Sequence, residues 1–178
     1  MEKYIEKVLL SEQQLKARIH ELGEELSREY VDKDPIFVGV LKGVVVFYAD
    51  MVREITIPCQ FDFMWISSYS GTESTGQMDV KRDLSADIKG RHVLILEDIL
   101  DSGRTLKQIK EILEQREPAS IKICTMLDKP SGRKETLEAD YVCFTIPDGF
   151  VVGMGLDYQD YYRNLPFVGI LKESVYKD

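Results

Sequence analysis

An α/β fold, with a mainly parallel, doubly wound sheet flanked by helices, is what three features of the sequence predict. Apolar runs of strand length recur at 36–41, 93–96, 121–127 and 139–145. Segments of helical periodicity stand between several of them, at 11–30, at 44–55 and after Thr105. The runs at 36–41 and 93–96 are apolar at nearly every position, as in strands covered on both faces. Such alternation gives parallel strands joined by right-handed crossovers, with ligand sites at the carboxyl ends of the strands.

The elements follow in order. Ser11 precedes Leu15, Ile19, Leu22 and Leu26, a capped amphipathic helix ending near Tyr30. Ile36 to Leu41 reads as a buried strand, and Lys42-Gly43 leads from it into a helix over 44–55. Residues 60–67 alternate enough for a strand. Residues 68–77 are polar, contain Gly71 and Gly76, and are long for a connection, so a mobile loop is expected there. Residues 78–82 supply the returning strand of that hairpin, and 93–96 the next core strand. Ile109, Ile112 and Leu113 place a helix after Thr105, and the runs at 121–127 and 139–145 supply two further strands.

With 178 residues and no linker-like or charge-block segment, the chain is expected to form a single domain, 1–178. The hydrophobic fraction of 44% and charged fraction of 30% are those of a globular protein. A net charge of −8 argues against a nucleic-acid partner, since duplex binders carry a visible basic surface. Any basic pocket would have to be gathered by the fold from a few residues such as Lys42, Lys129 and Arg163. No apolar stretch approaches membrane-spanning length, and the first residues, Met1-Glu2-Lys3-Tyr4-Ile5-Glu6-Lys7, lack a secretory pattern. A cytoplasmic location with no membrane partner is the expectation. Cys59, Cys124 and Cys143 are scattered beside apolar runs and read as buried, unpaired thiols.

The chemistry concentrates in Val93-Leu94-Ile95-Leu96-Glu97-Asp98-Ile99-Leu100-Asp101-Ser102-Gly103-Arg104-Thr105-Leu106. An apolar strand ends in acids, and a small-residue turn opens a helix. Asp101 to Thr105 offers a glycine, two hydroxyls and the unpaired N–H groups of a helix start, a setting for a phosphate dianion. Glu97 and Asp98 cannot serve that anion. At a strand end they suit sugar hydroxyls or a hard divalent cation. Helix capping accounts for Ser102 but gives no reason for the paired acids.

Over all fourteen of these positions the segment resembles the signature of the type I phosphoribosyltransferases, which use phosphoribosyl pyrophosphate. The likeness extends over roughly residues 36–170 and is nearest to the 6-oxopurine members of that family. It implies a small hood subdomain beside the sheet, and an active-site loop at 68–77. It also implies transfer of 5-phosphoribosyl from phosphoribosyl pyrophosphate to a 6-oxopurine, hypoxanthine and with it guanine. The products would be a purine nucleoside monophosphate and pyrophosphate, with Mg²⁺ as cofactor. Asp101 would be the base for the purine ring proton, while Asp101, Ser102, Gly103, Arg104 and Thr105 hold the 5′-phosphate. Glu97 and Asp98 would bind the ribose hydroxyls, directly or through metal.

Further segments carry the resemblance. Leu41-Lys42-Gly43, whose amides and ammonium could hold a second anion, is similar to the family's pyrophosphate loop, where the peptide before the lysine is often cis. Ser68-Tyr69 resembles the lid dipeptide that closes over pyrophosphate and sugar, excluding water. Leu127-Asp128-Lys129-Pro130 puts a lysine at a strand end, where Pro130 blocks a helix. Lys129 matches the lysine that donates to the purine 6-oxo group. In Pro147-Asp148-Gly149-Phe150-Val151 and the residues up to Asp157, Phe150 would stack on the purine, Val151 would offer backbone atoms to the base edge, and Asp157 would hold a metal shared with pyrophosphate. Arg163 matches the arginine that contacts pyrophosphate. One position departs from the family: the frequent lysine before the stacking aromatic is Gly149 here.

Two other readings stay open at this stage. One is a nucleic-acid-binding regulator that reuses the fold to sense phosphoribosyl pyrophosphate or nucleotides. The other is a transferase for xanthine, uracil or another base. Family members are commonly dimers or tetramers, and a homodimer or homotetramer is expected.

Overall fold

The computed structural model describes residues 1–68 and 78–177, and in it the chain forms two sheets. The strands are β1 (Ile5–Leu10), β2 (Ile36–Leu41), β3 (Gln60–Ser68), β4 (Met78–Arg82), β5 (His92–Leu100), β6 (Ser120–Asp128), β7 (Tyr141–Thr145), β8 (Val151–Val152) and β9 (Val168–Leu171). The helices are α1 (Glu12–Glu29), α2 (Val45–Arg53), α3 (Arg104–Glu114) and the short α4 (Glu173–Tyr176). The expected loop at 68–77, with Tyr69, lies outside the described residues apart from the backbone of Ser68.

Six strands order as β4-β3-β2-β5-β6-β7. All neighbours are parallel except β3 and β4, which pair antiparallel. The period-2 alternation of side chains splits this sheet's core in two. Phe37, Leu94 and Leu96 face α1 and α2, packing with Leu15, Leu22, Leu26, Phe47 and Met51. Ile36, Val38, Val93 and Ile95 face the other way, where Leu106, Ile109 and Leu113 of α3 cover them. The doubly wound expectation is thereby met. Ser11 caps α1 as its position predicts: its Oγ accepts the Gln14 N–H at 3.3 Å, and the Gln14 side chain accepts the Ser11 N–H at 2.9 Å.

Three details differ from the sequence reading. The strand begun at Val93 runs on to Leu100, because Ile99 and Leu100 still find partners in Leu127 and Asp128 of β6. Glu97 and Asp98 are therefore within the ladder. Helix α3 begins at Arg104, so Arg104 and Thr105 form its first turn and the loop proper is Asp101-Ser102-Gly103. Cys59 is half-buried, while Cys124 and Cys143 are buried as expected.

The second sheet is antiparallel, in the order β1-β9-β8, and forms the hood. It joins the two ends of the chain, with Ile5 opposite Leu171. No described helix is long and apolar enough to cross a membrane.

Asp62 of β3 is buried and acts as a backbone acceptor. Its carboxylate takes the N–H groups of Phe63, Ser85 and Ala86 at 2.7–2.8 Å, tying the connection after β4 to the sheet. Asp62→Ala would strand these donors away from water, and a loss of about 3 kcal/mol is expected. For a chain of this size that corresponds to a fall in Tm of roughly 6–12 °C, measurable by calorimetry. An unchanged Tm would mean that water replaces the carboxylate.

Candidate active site

The carboxyl ends of β2 and β5 and the start of α3 enclose a cleft of about 300 Å³, lined by Lys42, Gly43, Glu97, Asp98, Asp101, Ser102, Gly103 and Thr105, and by Asp157 and Arg163 from the hood side. This is where parallel α/β sheets place ligands. On the floor, Gly103 sits at φ +78°, and the first amides of α3 follow it. Arg104 N–H lies 3.4 Å from Ser102 Oγ. Ser102, Gly103 and Thr105 thus line one cleft beside the helix-start N–H groups that lack intrahelical partners, a cradle for a dianion.

The paired acids stand beside it. Asp98 is 8% exposed and accepts its neighbour Ile99's N–H at 2.8 Å. Gly43 allows this placement, since a β-carbon there would overlap the Asp98 carboxylate. Glu97 has a buried Oε2 atom with no hydrogen-bond partner. Burial pushes the Glu97 carboxyl well above the ordinary range, and the Asp98 charge adds to this. Burial likewise raises Asp98, to about 6, against the pull of backbone N–H groups and Arg163. Burial outweighs the partners Asp98 has, and the Glu97 oxygen has none, as expected of groups that would take hydroxyls or a cation.

An aspartate near 6 when folded and near 3.8 when unfolded binds its proton more tightly in the folded state. That contribution to stability is full below pH 3.8 and lost as pH rises through 6. Asp98→Asn in the ligand-free protein is accordingly expected to match its parent near pH 4 and to exceed it by on the order of 2 kcal/mol at pH 7. Urea unfolding at the two pH values measures the difference, and a pH-independent difference would contradict the assignment.

On the opposite wall, Arg163 donates to Gly155 O at 2.6 Å and pairs with Asp157 at 2.8 Å and Asp160 at 2.9 Å. Lys42 reaches the same Asp160 at 3.3 Å. Hydrogen bonds from Arg163 and then Lys42 hold the Asp160 carboxyl below its usual range. Nothing in the sequence marks Asp160, because a turn acid at φ +64° carries no signature. The Leu41–Lys42 peptide is cis.

Among the described residues no three His, Cys, Asp or Glu side chains stand close enough to cage a metal. Glu97, Asp98 and Asp157 instead offer carboxylates from two walls of one cleft. That donor set, with the orphaned Glu97 oxygen, has the oxygen chemistry that a hard divalent cation such as magnesium takes when only one or two carboxylates hold it.

Lys129, Phe150 and Val151 do not line this cleft. The Lys129 ammonium is 3.7 Å from Asp101, 3.3 Å from Asp148 and 3.2 Å from the Gly149 carbonyl. Its hydrogen bond is the main cause of a lowered Asp148 carboxyl. Phe150 is 36% exposed and stacks on Tyr176, ring centroids 4.9 Å apart, with Tyr158 at its edge. Sequence reasoning missed Tyr176, whose only signal is an aromatic in a short terminal helix. Leu171 N–H donates to Phe150 O at 2.8 Å, so Val151 occupies the alternate position opposite Ile170. Its N–H and C=O then point to the outer edge of β8, which no described strand covers. Ser68 contributes only backbone to the described structure.

Residues 7–159 match the model of the phosphoribosyl transferase domain. A hypoxanthine-guanine phosphoribosyltransferase of Streptococcus pneumoniae is 51% identical, over 100% of this chain and 99% of its own. That of Bacillus subtilis is 50% identical over 97% of each. Among solved structures, a hypoxanthine phosphoribosyltransferase of Staphylococcus aureus superposes with a TM-score of 0.96 at 46% identity, covering 100% of this chain and 97% of that one. The Trypanosoma cruzi hypoxanthine phosphoribosyltransferase, in complex with the product IMP, gives 0.92 at 38% identity over 98% of both chains. With its anion cradle, paired acids and hood, the chain belongs to the phosphoribosyltransferase family, alongside the hypoxanthine-guanine enzymes it matches from end to end.

Proposed function

We propose that this protein is a Mg²⁺-dependent hypoxanthine-guanine phosphoribosyltransferase of purine salvage, acting in the cytoplasm as a homodimer or homotetramer. It takes phosphoribosyl pyrophosphate and a 6-oxopurine and gives IMP or GMP plus pyrophosphate. The observation that carries the reading is the position of Asp101. It opens the loop that leads into α3, its carboxylate is 3.7 Å from the Lys129 ammonium, and that ammonium also reaches the Gly149 carbonyl next to Phe150.

Each residue has work in this reaction. Asp101, Ser102, Gly103, Arg104 and Thr105 hold the 5′-phosphate through amides and hydroxyls. Glu97 and Asp98 accept hydrogen bonds from the ribose hydroxyls, and their charge favours a ribosyl centre that becomes cationic. Lys42, Gly43 and Arg163 hold pyrophosphate, and Ser68 and Tyr69 cover it. Phe150 stacks on the purine, Val151 meets its edge through backbone atoms, and Lys129 donates to the 6-oxo oxygen. The purine nitrogen bonds to the anomeric carbon as the bond from that carbon to pyrophosphate breaks, and the ring proton passes to Asp101. Asp157 and Glu97 or Asp98 would hold magnesium, which would supply charge neutralisation for the leaving group.

The test offers hypoxanthine, guanine, xanthine, adenine and uracil separately, with phosphoribosyl pyrophosphate and Mg²⁺, and measures pyrophosphate released. Turnover is expected with hypoxanthine and guanine and not with adenine or uracil. Tight binding of the sugar with no turnover on any base would favour a nucleotide-sensing regulator.

A further inference from the structure

The short turn Pro130–Gly132 and the irregular residues after it are hydrogen-bonded to the Asp101 loop. Arg133 is the centre of this arrangement. Its side chain is 17% exposed, and its Nε donates to Asp101 O at 3.0 Å. Its Nη2 donates to Leu100 O at 3.2 Å and to the Asp128 carboxylate, and its Nη1 donates to Leu137 O. The neighbouring chain adds backbone bonds: Lys129 N–H to Leu100 O at 3.0 Å, and Lys134 and Glu135 N–H to Ser102 O at 3.0 and 3.2 Å. Gly132 lies so close that a β-carbon on it would overlap the Asp101 carboxylate.

We infer that Arg133 is a positioning residue for the reaction. It fastens the peptide that bears the base Asp101 to the stem that bears Lys129, so that base and purine anchor keep a fixed separation. This rests on the reading of Asp101 as the base. A planar guanidinium suits the task, because four of its five N–H groups meet acceptors on β5, β6 and the return segment simultaneously. An ammonium cannot reach them all. Arg133 does not line the cleft, so its effect would be expressed through the placement of Asp101, where a shift of about 1 Å costs on the order of 10²-fold in rate.

The experiment is a double-mutant cycle on the full chain, with kcat and the KM for phosphoribosyl pyrophosphate measured for Arg133→Lys, Asp101→Asn and the double variant, alongside Tm. The expected result is a fall in kcat of about 10²-fold for Arg133→Lys with KM changed less than about threefold. In the Asp101→Asn background the same substitution should cost almost nothing further. A loss that multiplies through the cycle, or an unchanged kcat, would overturn the inference. If Arg133→Lys fails to fold, Asp128→Asn, which releases one end of the guanidinium at constant size, must give a smaller kcat loss that also vanishes in the Asp101→Asn background. An Asp101→Asn protein with full activity would instead defeat the reading of the base, before Arg133 is tested.

Discussion

Asp101→Asn is expected to lower kcat by about 10²-fold while binding of phosphoribosyl pyrophosphate changes little. Asparagine keeps the size and the acceptor oxygen of the side chain but cannot take the purine ring proton. The anion cradle is built from backbone groups of the α3 start and from hydroxyls, so it survives the change. The Lys129 ammonium retains Asp148 at 3.3 Å and the Gly149 carbonyl at 3.2 Å, so the purine anchor is not set adrift. Calorimetric titration with phosphoribosyl pyrophosphate and steady-state formation of IMP separate the two quantities. Full activity would remove Asp101 from proton transfer and pass the role to solvent or to another group.

Lys129→Gln is the second large effect. The side chain is 14% exposed and held at three points, so its ammonium is both oriented and partly dehydrated. A donor of that kind discriminates strongly, because a 6-amino group would present a hydrogen where an acceptor is needed. Glutamine offers either an oxygen or an amide nitrogen by rotation. The value of kcat/KM for hypoxanthine is expected to fall about 10²-fold, with the preference over adenine collapsing in parallel. Competition between the two bases, followed by chromatography of the nucleotide products, reads the ratio directly. A preserved ratio would mean that some other group recognises the 6-position.

Much of the phosphate half was legible in the sequence because its geometry is local. The acids, the Gly103 turn and the start of α3 are consecutive, and a strand followed by a helix fixes their relation. The exact ends were less legible. Nothing in Glu97-Asp98 says that the ladder continues to Leu100, since that depends on Leu127 and Asp128 across the gap. The hood was harder still. Its three strands are short, and two of them sit at opposite ends of the chain. Asp160 and Arg133 left no trace in pattern or spacing. One owes its place to a positive-φ turn that meets Lys42, the other to carbonyl acceptors, which every residue type possesses.

The pairing of Ile5 with Leu171 also sets a timetable for synthesis. All six strands of the larger sheet, with the anion cradle, exist once Thr145 has left the ribosome. β9, which lies between β1 and β8, comes last. The surface that would grip ribose phosphate, with Lys129 beside it, can therefore take shape on a nascent chain, whereas the hood that carries Phe150 and Val151 is complete only when synthesis passes Leu171. During that interval β1 lacks the one strand it pairs with among the described residues, and its edge stays open.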